Sequence, residues 1–75
     1  MRNKVLTSLH NPAVDRCVDI FVREDGTFGY EEYRRDHEDG RGWFPLNRYA
    51  NQVFHSQEDA IARARTSVSW LLNPE

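Results

Sequence analysis

Cys17-Val18-Asp19-Ile20-Phe21-Val22-Arg23 runs into Glu24-Asp25-Gly26-Thr27 and then into Phe28-Gly29-Tyr30-Glu31-Glu32-Tyr33-Arg34-Arg35. The first segment is rich in β-branched and aromatic residues, which suit a pleated and partly buried surface. Asp25-Gly26 supplies the positive φ that a tight hairpin turn needs. The stretch therefore predicts two antiparallel strands. Phe28 and Tyr30 share a parity that Tyr33 breaks, so a β-bulge is expected near Glu31-Glu32.

Beyond the hairpin, Asp36 to Gly42 is polar and glycine-bearing and reads as a longer turn into a third strand at Trp43-Phe44. Pro45 makes that strand an edge, because proline cannot donate to a ladder. Asn47 to Gln52 reads equally as a loop or a fourth short strand. Ser56-Gln57-Glu58-Asp59 matches a capping box, with acids in the positive first turn of a helix. Phe54, two residues before the cap, is placed to anchor the start of that helix. Ala60, Ile61, Ala64, Val68, Leu71 and Leu72 then recur on one helical face, and Asn73-Pro74 stops it.

On the N-terminal side, Val5, Leu6 and Leu9 have the spacing of a short helical turn before the break at Asn11-Pro12. Residues 1–16 are expected to form an arm and residues 17–75 a single β-β-β-α domain. The fold class is thus α+β, a three-stranded antiparallel meander on one C-terminal helix.

The 75 residues leave room for one core only. Nine aromatics and 39% hydrophobic residues favour a folded chain over a disordered one. The net charge of −2 lacks the basic field of a non-specific nucleic-acid binder. The single cysteine, Cys17, can form no intramolecular disulfide and reads as a small buried hydrophobe. No run is apolar and long enough for a membrane span or signal peptide, so a reduced, cytoplasmic setting is expected.

Glu31, Glu32, Asp36, His37, Glu38 and Asp39 could offer carboxylates to a hard cation. Arg34, Arg35 and Arg41 are interleaved with them, and a solvated, ion-paired turn is the expected reading. His37 beside Glu38 has no nucleophile placed with it, Ser56 is committed to the cap, and His10 and His55 are scattered. No catalytic residue, metal or cofactor is expected. Tyr30, Tyr33, Trp43 and Tyr49, mixed with Arg23, Arg34, Arg35, Arg41 and Arg48, could form a sheet face that stacks bases. They could equally be cross-strand pairs on an outer face. Trp70 lies off the helical stripe and calls for a cover, either the N-terminal arm or a second chain.

The segments Asp25–Asp36, Gly42-Trp43-Phe44-Pro45 and Phe54-His55-Ser56-Gln57-Glu58-Asp59-Ala60 resemble small proteobacterial proteins of β-β-β-α type, over about three quarters of the chain. The resemblance implies that fold and a bacterial source, with no activity attached. The architecture is also similar to sheet-reading DNA-binding domains of the AP2 and integrase-arm type. Those carry a basic sheet surface, where this chain has Asp19, Glu31 and Glu32. The expected function is a non-enzymatic protein-interaction module, with a homodimer as the first expectation and a nucleic-acid-binding domain as the alternative. The expected interaction surface is Tyr33, Arg34, Arg35, Trp43, Tyr49 and Trp70.

Overall fold

The hairpin is found in the computed structural model, which describes residues 3–36, 38, 40 and 42–72, Leu72 by its backbone alone. Strands β2 (Arg16–Val22) and β3 (Phe28–Arg35) pair antiparallel in unbroken register from Val22↔Phe28 to Arg16↔Arg34. The turn closes with Arg23 N–H donating to Thr27 O at 2.7 Å, and Gly26 takes φ +87. Asp25 stabilises it by accepting from both Thr27 N–H and its hydroxyl. Those two bonds also hold the Asp25 carboxyl below the usual carboxylate range.

The expected bulge at Glu31-Glu32 is absent from this pairing. Tyr30 and Tyr33 differ in parity because they face opposite sides of a regular strand. Tyr30 points into the core, and Tyr33 lies on the side without a helix. The bulge sits instead in β1 (Lys4–His10), where the register shifts between Val5 and Thr7.

β1 is the main departure from the expected fold. The segment read as a weakly docked arm is a strand, antiparallel to β2 from Lys4↔Val22 to His10↔Cys17. Val5 pairs opposite Phe21 while Thr7 and Leu9 pair opposite Ile20 and Val18, so the bulge sets Val5 on the other face, and pairing with the β2 edge makes this segment a strand. The break at Asn11-Pro12 is a turn, in which Asn11 Oδ1 accepts from Asp15 and Arg16 N–H. With β4 (Trp43–Pro45) on the far side of β3, the sheet is a four-stranded meander, β1-β2-β3-β4.

After Pro45 the chain stays along the β3 edge. Leu46 N–H donates to Glu32 O, and Phe54 exchanges both backbone bonds with Phe28. Between these ties, residues 47–52 form a loop rather than a strand. Asn47 turns it with φ 57, a left-handed conformation that asparagine tolerates.

Helix α1 (Gln57–Ser67) starts at Ser56, whose hydroxyl accepts from Asp59 N–H at 3.0 Å. It ends one turn earlier than the stripe predicts. Val68 leaves the helix with φ −99 and ψ 111, and a short turn, α2 (Ser69–Leu72), follows. Ala60, Ala64 and Val68 are buried against Val18, Ile20 and Tyr30, and the half-buried Phe28, Tyr49, Phe54, Ile61, Trp70 and Leu71 pack around them. The two alanines admit the helix close to the sheet. No helix among the described residues is long and apolar enough to cross a membrane.

Candidate functional site

The adjacent acids Glu31 and Glu32 are 2% and 6% exposed, not the solvated pair that the sequence suggests. Buried carboxylates require partners. Glu31 Oε1 accepts from Tyr49 and Ala50 N–H at 3.0 and 2.9 Å. Its Oε2 accepts from Arg48 N–H at 3.2 Å and from Glu32 N–H at 2.9 Å. Arg23 takes the carbonyls of the same loop: Nη2 donates to Ala50 O and Gln52 O at 2.6 and 2.9 Å, while Nη1 donates to Phe28 O. One carboxylate and one guanidinium thereby replace the ladder bonds that residues 47–52 forgo.

Glu32 points to the helix side, where its Oε2 accepts from Trp70 Nε1–H at 2.9 Å. The break at Val68 carries the indole to this contact. Trp70 is thereby tied by its own chain and half-buried, and the N-terminal segment expected as its cover lies elsewhere, as β1. β1 packs on β2, at the opposite edge of the sheet from β4.

Beside Trp70 lies a cleft of about 500 Å³, lined among others by Arg16, Glu32, Arg34, Arg48, Tyr49 and Trp70. Tyr49 is fixed there by stacking on Tyr30, with centroids 5.0 Å apart, and by its hydroxyl donating to Ser67 O.

Among the described residues the opposite face of the sheet carries no helix. Arg35 lies 4.9 Å from the Trp43 ring centroid and donates from Nη2 to Val14 O, while His10 meets Trp43 edge-on. Arg23 lies over Phe21, and the Phe21 ring crosses Gly29. Asp19 opposes Glu31 across the strands, a repulsive pairing in isolation. It is relieved because Glu31 turns to the loop and Asp19 accepts from the Ser8 hydroxyl at 2.6 Å. Burial and the Asp19 carboxylate push the Cys17 thiol up to about 11.

The six residues expected to form one surface thus divide between two sides. Tyr33, Arg35 and Trp43 lie on the helix-free face, and Arg34, Tyr49 and Trp70 line the cleft. Arg16 and Glu32 join the second group: Arg16 was not expected at any site, and Glu32 was expected only as a solvated carboxylate. The signal was available in the hairpin, whose closure at Asp25-Gly26 sets Arg16 opposite Arg34. Among the described residues no group of His, Cys, Asp and Glu is arranged to hold a metal ion. His37, Asp39 and Arg41, named in the metal and stacking readings, lie outside the described residues. No family model matches the chain, and no curated protein or solved structure matches it.

Proposed function

We propose that this chain is a non-enzymatic interaction domain that pairs with a second copy of itself through the outer edge of β1. The observation that carries the reading is that edge itself. Among the described residues β1 pairs on one side only, with β2, and leaves Val5 51% and Leu6 38% exposed. An unpaired strand edge is a template for another strand, and apolar side chains along it add a hydrophobic term.

Two β1 strands paired antiparallel present the same edge to each other, the self-complementary arrangement that a two-fold dimer requires, and bring the exposed Val5 and Leu6 of both chains to one seam. It also joins the two sheets and their helix-free faces into one surface that bears Trp43, Tyr33 and Arg35, residue types that anchor interfaces. The Pro45 edge is the weaker alternative, since β4 has three residues and a proline.

Sedimentation velocity over a concentration series tests the reading. The wild type should show a dimer that dissociates on dilution, and Val5→Lys with Leu6→Lys should shift it to monomer with an unchanged far-UV spectrum. A wild type that is monomeric throughout overturns it. The nucleic-acid alternative asks Tyr33, Arg34, Arg35, Trp43 and Tyr49 to act as one face, and their division between two sides weighs against it. Fluorescence anisotropy with a labelled oligonucleotide at low and high salt checks that alternative directly.

A further inference from the structure

We propose that the cleft beside Trp70 binds the phosphoryl group of a small phosphate monoester, held by Arg16, Arg34 and Arg48. The three arginines come from β2, β3 and the loop after β4, and all line this cleft. Arg16 and Arg34 are directly opposed Cα partners on the helix side of the sheet. Like charges in that position repel, and the cost falls when an anion lies between them. Among the described residues no hydrogen bond or ion pair engages any of the three guanidiniums, although the backbone N–H groups of Arg16 and Arg48 are tied to Asn11 and Glu31. The forks are therefore uncommitted while their anchor points are fixed.

Among the described residues the one carboxylate in the cleft, Glu32, has an oxygen committed to the Trp70 indole. Among the described residues three cations against one anion make the cleft basic in a chain whose net charge is −2. Guanidinium forks match phosphate oxygens two at a time, which favours a phosphoryl group over a single-point anion. A volume of about 500 Å³ falls in the range of small-molecule sites. Tyr49 and Trp70, both held in place, offer aromatic surface to the organic part of an ester.

A polymer fits less well. The neighbouring recess that shares Arg16 and Arg34 is lined also by Arg35 and by Asp15, Asp36 and Glu38, whose carboxylates offset the arginines and leave no net attraction for the next phosphate along a strand. The cleft lies across the sheet from the β1 edge, so the two proposals fail independently.

The experiment is a titration followed by ¹⁵N–¹H correlation spectra, in which Trp70 and Trp43 give separate indole N–H signals. Inorganic phosphate and adenosine monophosphate serve as probes, with sodium chloride at matched ionic strength as control. Both phosphates should move the Trp70 indole signal saturably, with a dissociation constant of about 1 mM or below, and leave Trp43 in place. Arg34→Gln and Arg48→Gln, at exposed positions, should each weaken binding about tenfold while the spectrum stays dispersed. No saturable shift of Trp70, an equal shift with chloride, or a response to an oligonucleotide alone overturns the proposal. Binding of inorganic phosphate with exclusion of adenosine monophosphate overturns the ester class.

Discussion

Glu31 shows how one side chain can hold a loop that has left the ladder. Its two oxygens accept four backbone N–H groups, three of them from the loop. Removing the carboxylate leaves buried donors without acceptors, at about 1–3 kcal/mol for each group that water does not reach. Glu31→Ala should therefore lower stability by about 3 kcal/mol, read from the urea midpoint, and loosen Tyr49 from Tyr30. Cys17 gives a pH dependence. Its folded pKa is raised from 9.0 to about 11, first by burial and then by Asp19. The folded state keeps a proton that the unfolded chain releases, so this contribution is intact below pH 9 and is lost as pH rises towards about 11. Burial also raises Tyr30 and Tyr33, which add slopes of the same sign. The difference in alkaline stability between wild type and Cys17→Ala isolates the thiol; parallel curves for the two proteins would contradict the assignment.

At the scale of elements, the β2–β3 hairpin depends on a close aromatic crossing. A Cβ at Gly29 would stand 2.8 Å from Phe21 Cζ and 2.6 Å from Arg23 Nη2. Arg23 cannot simply withdraw, because it holds Ala50 O and Gln52 O. Gly29→Ala should cost about 1–3 kcal/mol by overpacking and weaken the loop tie with it. A melting temperature equal to that of the wild type would show that the crossing has slack. In α1 the cap, the acids of the first turn and the buried alanines follow the sequence pattern. The end does not: periodicity runs on through Leu71, yet Val68 turns out of the helix and delivers Trp70 to Glu32. A period of 3.6 residues cannot register that a buried carboxylate elsewhere needs an indole N–H.

For the molecule as a whole, the strand that sequence reading left as an arm closes one side of the sheet. Deleting residues 1–10 would uncover the β2 edge, with its buried Val18, Ile20 and Phe21. The truncated chain should unfold or aggregate, measured by circular dichroism and light scattering. A folded, monodisperse product would mean that β2 needs no neighbour. What the amino-acid sequence determined by itself is local: the β2 and β3 strands, the Asp25-Gly26 turn, the Pro45 edge and the Ser56 cap. Each is written in residues a few positions apart, through φ preference, side-chain alternation or a single capping oxygen. Only the tertiary structure decided the pairing of β1, the burial of Glu31 and Glu32, the break at Val68 and the division of the aromatic and arginine residues between two sides. Those features depend on partners such as Tyr49 for Glu31 and Trp70 for Glu32, far away along the chain. Their donors come within reach of the carboxylates only when sheet, loop and helix close on one another.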